Sequence, residues 1–180
     1  MSVPVLVTKN AVMALRSQSF TALSSLIVSQ LALTPRVIKM TEPIKGRCFC
    51  GAVRFQFSEA PIAVRACWCR DCQYLATGNA SINAIFRTES LTLTGEVAEY
   101  VSTANSGNTM RRRFCPKCGT QLFSHSSSRH EVMVVRVGAL EDREVGGPAS
   151  YIWTASKPSW GHIDPELPNC AGQPAPVPLK

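Results

Sequence analysis

The sequence lacks any hydrophobic run long enough to cross a membrane, for which about 20 consecutive apolar residues are needed. The most apolar stretch, 22–33, is interrupted by three serines and a glutamine. Its position and composition do not fit a secretory signal peptide either. We therefore predict a protein that does not span a membrane and that works in the cytoplasm.

Cysteine is too sparse for a disulfide scaffold, because the chain has 8 in 180 residues and small secreted scaffolds contain roughly 8–10% cysteine. An even number still allows disulfides, but seven of the eight lie in clusters in which neighbours are separated by only one or two residues. A disulfide needs Cα atoms roughly 4.4–6.8 Å apart with Cβ vectors aimed at each other, so cysteines this close cannot pair without strain. Reduced thiols that bind a metal are the better interpretation.

Acidic residues are missing from 1–40, which contains four basic ones. This serine-rich composition is compatible with a mitochondrial transit peptide, which would place the protein in mitochondria. The alternatives are a short amphipathic helix around 11–33, or an upstream extension that is not translated or is dispensable, with a start at Met40. The four basic residues supply more than half of the formal net charge of +7, and the small remainder argues against a nucleic-acid-binding surface. We expect a chain that begins at Met40 to fold unchanged.

From Ile44 onward the sequence has the short alternating pattern of β-strands, and no long stretch with helical periodicity follows residue 40. The segment 70–75 is expected to form one helical turn. We predict a mainly β domain over 41–168, preceded by the extension 1–40 and followed by a proline-rich surface tail, 169–180. The strands are predicted at 52–57, 62–67, 80–86, 90–94, 99–102, 110–114, 121–124, 131–137 and 151–154.

The cysteine spacing predicts metal sites at the turns of this domain. On an extended segment Cys48 and Cys50 present their sulfur atoms to the same side. A tight turn before a glycine does the same for Cys115 and Cys118. A tetrahedral Zn²⁺ ion binds four such sulfurs at about 2.3 Å, so these two pairs supply a closed set of ligands.

A second group has only three cysteines, Cys67, Cys69 and Cys72, and leaves a fourth position open. Closed four-sulfur sites are structural, whereas three protein ligands with an exchangeable fourth are typical of catalytic zinc. A single zinc, or a pairing in which Cys67 and Cys72 join Cys115 and Cys118, are the alternatives. The eighth cysteine, at position 170, is expected to be a bystander thiol.

Several segments around the cysteines form recognisable motifs. They are Gly-Arg-Cys-Phe-Cys-Gly-Ala-Val at 46–53, Cys-Trp-Cys-Arg-Asp-Cys at 67–72, Ala-Thr-Gly at 76–78 and Phe-Cys-Pro-Lys-Cys-Gly-Thr at 114–120, with weaker similarity at 136–142 and 151–160. Together they resemble the glutathione-dependent formaldehyde-activating enzyme family over roughly 44–168. The resemblance implies a β-rich fold of the Mss-four-like type. It also implies a structural zinc at the closed set and a labile catalytic zinc at Cys67, Cys69 and Cys72.

One residue departs from this pattern, because Trp68 stands where the family often has histidine. Side chains alternate along a strand, so Trp68 is expected to point away from the metal, which Cys67 and Cys69 still bind. An aromatic surface would then replace a polar group that might serve the substrate.

The resemblance implies a carbon–sulfur lyase or synthase that uses glutathione as its co-substrate. Zinc would keep the glutathione thiol deprotonated at neutral pH. The thiolate would add to formaldehyde, or to another small aldehyde, to give S-(hydroxymethyl)glutathione. Four thiolates around one Zn²⁺ leave a formal charge of about −2, so this metal should be easily lost. Basic side chains are expected to bind the glutathione carboxylates, with Arg70, Arg111, Arg112 and Arg113 as the candidates.

Two alternatives accompany these assignments. On a strand Arg111 and Arg113 would share one face, and the basic run would then be a solvated face. The alternative to an enzyme is a zinc-stabilised binding or scaffold module without turnover, as the relatives of centromere protein V suggest by analogy. The basic run would then contact an acidic partner. Metal stoichiometry separates the two, because two zinc ions with one extractable favour the enzyme and one tightly held ion favours the scaffold.

Overall fold

The computed structural model describes residues 42–104 and 106–179, so the expectations for 1–40 lie outside the described residues. Within the described part the domain is mainly β, as predicted, with one short α-helix and several 3₁₀ turns. No helix in this part is long and apolar enough to span a membrane. The elements are β1 (Ile44–Arg47), β2 (Arg54–Phe57), β3 (Ala63–Cys67), α1 (Arg70–Leu75), β4 (Ser81–Arg87), β5 (Leu91–Thr94), β6 (Ala98–Thr103), β7 (Thr109–Phe114), β8 (Gln121–Ser126), β9 (Val132–Arg136) and β10 (Ser150–Ile152).

The predicted strands are all present, and their ends differ from the predictions by at most two residues. β1 is an additional strand within the β-like region that begins at Ile44. The predicted helical turn is the α-helix α1, and the Cys69 side chain caps its first turn by accepting a hydrogen bond from the backbone N–H of Cys72 at 3.4 Å. This cap places both cysteines at the same end of the helix.

Seven strands form one sheet in the order β10-β3-β4-β9-β8-β7-β6. Neighbouring strands are antiparallel, except that β10 runs parallel to β3. In this register Arg65 of β3 lies opposite Asn83 of β4, which lies opposite Arg136 of β9. Residues directly opposite each other share a face of a sheet. Three polar side chains from distant parts of the sequence therefore project together.

The other sheet, β1-β2-β5, is antiparallel and packs its aromatic residues against the larger sheet. Phe57 of β2 stacks on Phe86 of β4 with ring centroids 4.1 Å apart, and Phe55 meets Phe123 of β8 edge-on at 4.8 Å. All four rings are buried, and burying one such side chain contributes about 1.5–3 kcal/mol. This packing forms the core on one face of the large sheet, and the row that contains Asn83 lies on the other face.

The chain after β10 stays close to that strand. The backbone of Tyr151 donates to Pro168 at 2.9 Å and accepts from Cys170 at 3.0 Å, and the N–H of Trp153 donates to Gly172 at 3.2 Å. The proline-rich segment that we predicted as a surface tail is thus tied to the β10 region by backbone hydrogen bonds as far as Gly172.

Candidate functional site

Four cysteine sulfurs meet where the turn after β1 approaches the turn between β7 and β8. The Sγ atoms of Cys48, Cys50, Cys115 and Cys118 all lie within 4.8 Å of one another. The Sγ–Sγ distance is 3.5 Å for Cys48 and Cys50 and 3.8 Å for Cys50 and Cys115. A disulfide would measure about 2.05 Å, whereas sulfurs bound at about 2.3 Å around a tetrahedral ion lie about 3.8 Å apart. The four thiols therefore fit a metal ion.

Two turns that contain glycine shape this group. Gly51 and Gly119 have φ values of 77° and 72°, a region that glycine adopts without steric cost. The turn at Gly51 corrects one expectation, because Cys48 and Cys50 lie in this turn rather than on an extended segment. The Thr120 hydroxyl lies 3.1 Å from the Sγ of Cys118 and lowers the pKa of that thiol to about 5.

The other three clustered cysteines come from β3 and α1. Cys67 ends β3, and its Sγ lies within 4.8 Å of the Sγ atoms of Cys69 and Cys72. Hydrogen bonds from the Cys67 and Cys69 thiols, and the charge of Arg136, lower the pKa of Cys72 to about 3. The eighth cysteine, Cys170, joins neither group, and its thiol donates to the Gly172 carbonyl at 3.1 Å. The alternative pairing of Cys67 and Cys72 with the turn between β7 and β8 is not what the structure assembles.

The three-cysteine group opens into a cavity of about 390 Å³, a size within the roughly 300–1,000 Å³ of small-molecule sites. The polar face of the large sheet forms one wall of this cavity, and the four-cysteine group does not line it. Four arginines and one acidic residue contribute charge, which favours an anionic ligand. These charged residues are Arg65, Asp71, Arg112, Arg129 and Arg136.

Two of these arginines differ in how they are held. The guanidinium of Arg136 donates to the Ser81 hydroxyl at 3.1 Å and to the side-chain oxygen of Asn83. The Asn83 amide nitrogen lies 4.0 Å from the Sγ of Cys72, so Arg136 and Asn83 connect the sheet to the cysteine group. Within the described residues the side chain of Arg65 makes no hydrogen bond or ion pair. Its guanidinium is therefore available to a ligand.

The other two arginines of the cavity already have acidic partners. Arg112 is buried and donates to Asp71 at 2.7 Å and to the Ser102 hydroxyl. This pair joins β7 to α1, the helix that carries Cys72. Arg129 pairs with Glu131 at 3.1 Å. The Arg112 guanidinium thus already has a counter-charge on α1, the helix that carries Cys72.

The remaining arginines that we predicted as glutathione ligands lie elsewhere. Arg111 and Arg113 share one face of β7, as strand alternation predicts, and both pair with Glu99, at 2.5 and 3.1 Å. Arg70 lies over the ring of Tyr74, 5.2 Å from its centroid. None of these three arginines lines the cavity.

Sequence reasoning missed three of the arginines that line the cavity. Arg65 had a local signal, because it precedes Cys67 by two residues on a strand and so shares its face. Arg129 and Arg136 had none, since their positions depend on how β9 and its preceding turn pair with distant strands.

Trp68 does not line the cavity, and it does not form the aromatic surface that we expected. Its side chain is 1% exposed and meets the ring of Trp160 edge-on with centroids 6.4 Å apart. The residue belongs to the protein interior beside Gly161, where a Cβ would come within 2.8 Å of the indole. The expected aromatic surface is wrong, because a large apolar ring adjacent to a buried strand is more stable inside the protein.

Comparison with known proteins places these features in a family. The family described as glutathione-dependent formaldehyde-activating enzyme matches residues 43–156. A crystal structure of a protein from Rhodobacter sphaeroides is similar, with 26% sequence identity and a TM-score of 0.47 over 58% of this chain and 97% of that one. No curated protein matches the sequence.

Proposed function

Because this chain belongs to the glutathione-dependent formaldehyde-activating enzyme family, we propose that it joins glutathione to formaldehyde or another small aldehyde. The observation that carries this proposal is the incomplete group of three cysteines facing a cavity rich in arginine. A closed four-sulfur set has no position for a substrate, whereas a set of three has one.

The two cysteine groups would hold one zinc ion each. Cys48, Cys50, Cys115 and Cys118 would form the structural site, and Cys67, Cys69 and Cys72 the catalytic one. The sulfur donors and the tetrahedral Sγ–Sγ distances support zinc. At the three-cysteine site zinc would supply a lowered pKa for the thiol of the substrate.

The reaction forms one carbon–sulfur bond. The glutathione thiolate attacks the aldehyde carbon, the electron pair of the carbonyl moves to oxygen, and the alkoxide takes up a proton to give S-(hydroxymethyl)glutathione. The reverse reaction breaks that bond and releases the aldehyde, so the activity is that of a carbon–sulfur lyase or synthase.

The cavity arginines would recognise glutathione through its two carboxylates. Arg65 is the first choice, because it shares the face of β3 with Cys67 and has no partner in the described part of the chain. Arg136 lies in the same cross-strand row but is held by hydrogen bonds to neutral side chains. A guanidinium binds a carboxylate through charge-assisted, often bidentate hydrogen bonds. Arg112 would instead hold α1 in place through Asp71.

The test is the rate of S-(hydroxymethyl)glutathione formation above the spontaneous reaction. We expect Cys69→Ser to abolish it and Cys170→Ser, a matched change outside both groups, to leave it unchanged. Arg65→Met should raise the KM for glutathione about tenfold with little change in kcat, because a charged hydrogen bond contributes about 1.5–3 kcal/mol. A parent chain with both metal ions but no rate above the spontaneous reaction would refute the proposal and favour a non-catalytic binding domain.

A further inference from the structure

The C-terminal residues contribute a wall to the cysteine cavity. Gln173, Pro174, Pro176 and Val177 line the same cavity as the three cysteines. They lie beyond residues 43–156, where the family similarity ends. This wall is therefore built from a part of the chain that the family match does not include.

Two side chains fasten this segment, residues 173–177, which we call the strap. At its start the Trp153 indole N–H donates to the side-chain oxygen of Gln173 at 3.1 Å. At its end the Arg129 guanidinium donates to the Val177 carbonyl at 3.0 Å. Both Trp153 and Arg129 line the cavity, so the strap is attached at two points on the cavity wall.

The backbone at the first attachment has an unusual conformation. Trp153 has a φ of 59°, in the left-handed region that non-glycine residues rarely adopt. Such a conformation is strained and persists only where surrounding contacts fix it. Hydrogen bonds from the Trp153 backbone to Gly172 and from its indole to Gln173 provide those contacts. Gln173 of the strap thus supplies one of the contacts that hold the left-handed turn.

The composition of the strap suits a segment that crosses an opening. Pro174 and Pro176 have no backbone N–H and a fixed φ, so they leave no donor unpaired and have few conformations to lose. A proline-rich segment is stiff without needing a neighbouring strand. The strap can therefore bound the cavity with only its two attachments.

We propose that the strap is a specificity-determining element that limits the size of the thiol adduct reaching Cys67, Cys69 and Cys72. This inference rests on the proposed function for the identity of the adduct. The size limit itself follows from the strap and the cysteines lining one cavity. Removing the strap should admit larger molecules to the cysteines, while a smaller molecule gains little because it already enters.

The experiment compares two truncations of the zinc-loaded protein. A chain ending at Gly172 lacks the strap, and a chain ending at Pro178 keeps every strap residue and both attachments. Initial rates of alkylation by iodoacetamide, which is small, and by fluorescein maleimide, which is bulky, are measured at each cysteine by peptide mass spectrometry. Cys50, an exposed ligand of the other proposed zinc site that lies outside the cavity, serves as the internal reference for a zinc-bound thiolate, with rates taken before an appreciable fraction of it has reacted.

We expect the maleimide rate at the three cavity cysteines to rise at least about tenfold in the chain ending at Gly172, since each lost hydrogen bond corresponds to about fivefold. The iodoacetamide rate should change much less, and the chain ending at Pro178 should match the parent. Gln173→Ala removes only the attachment to Trp153 and should raise the maleimide rate about fivefold. This variant replaces the truncated chain in the test if that chain does not fold.

An unchanged maleimide rate in a folded strap-deleted chain, or in Gln173→Ala if that chain does not fold, would overturn the proposal. An equal rise for both reagents would do so too, because the strap would then shield the site without selecting by size. The result is independent of the formaldehyde assay. A chain could show no glutathione-dependent rate and yet react faster with the maleimide once the strap is removed. That outcome would refute the proposed function and still support the proposed role of the strap.

Discussion

Replacing Asp71 with alanine should destabilise the domain, because it leaves the buried guanidinium of Arg112 without a counter-charge. The side chains are 41% and 9% exposed, and their charged atoms lie 2.7 Å apart. Breaking a fully buried pair costs about 3–5 kcal/mol, but water that reaches Asp71 screens the charge and lowers the expected cost to about 1–2 kcal/mol. For a chain of this size that cost corresponds to a fall in Tm of about 2–8 °C.

A double-mutant cycle isolates this effect from the other consequences of the substitution. In an Arg112→Met background the buried cation is gone, so Asp71→Ala should cost about 1 kcal/mol less than in the parent. Glu99→Ala is the control on the other face of β7, and loss of its pairs with Arg111 and Arg113 should cost less than about 1 kcal/mol.

The measurement is urea unfolding at a fixed zinc concentration, since bound metal itself adds to the stability. If Asp71→Ala lowers the free energy of unfolding equally in the parent and in the Arg112→Met background, the buried pair does not hold α1 to the sheet.

Three further predictions concern the fold. Cys118→Ser should prevent soluble, cooperative folding, because a structural zinc contributes on the order of 10 kcal/mol. Cys170→Ser, the control, should fold normally, and a folded Cys118→Ser protein would refute the closed site. Gly46→Ala should lower the free energy of unfolding by about 3 kcal/mol, since a Cβ there would lie 2.1 Å from a buried ring carbon; an unchanged urea midpoint would contradict this. Hydrogen bonds from Arg111 and Arg113 hold the pKa of Glu99 below its usual range. The stability that this pair contributes is therefore complete above the pKa of Glu99 in the unfolded chain and is lost as pH falls through the lowered pKa. Glu99→Gln should therefore lose less stability than the parent on acidification, and parallel acid titrations would count against it.

Local sequence patterns predicted most of the secondary structure. The clear alternation in 52–57 and the short apolar runs elsewhere placed the strands within two residues, because the side chains of a half-buried strand alternate between core and solvent. Cysteine spacing predicted both groups of sulfurs for a similar reason, since a tight turn fixes the direction of two side chains one or two residues apart. These features depend only on residues that are close together in the sequence, so they can be predicted from it.

The composition of the cavity depends on pairing between distant segments. Arg65, Asn83 and Arg136 meet through the register of three strands that no local pattern specifies. Arg112 was predicted to act together with Arg111 and Arg113 for a similar reason. Its partner Asp71 is 41 residues away in the sequence, and no local pattern links the two. The strap was not predicted, because its prolines indicate the absence of regular structure and not what the segment covers.

In the proposed function Cys67, Cys69 and Cys72 form an open metal site that serves a glutathione-dependent reaction. The most direct measurement is zinc content per chain in the parent and in Cys69→Ser, with glutathione-dependent formaldehyde loss recorded on the same samples. We expect two zinc ions and a rate above the spontaneous reaction in the parent, and a soluble Cys69→Ser protein with one zinc ion and no such rate. Equal zinc content in both proteins, or a Cys69→Ser protein that loses its metal but keeps the rate, would contradict it.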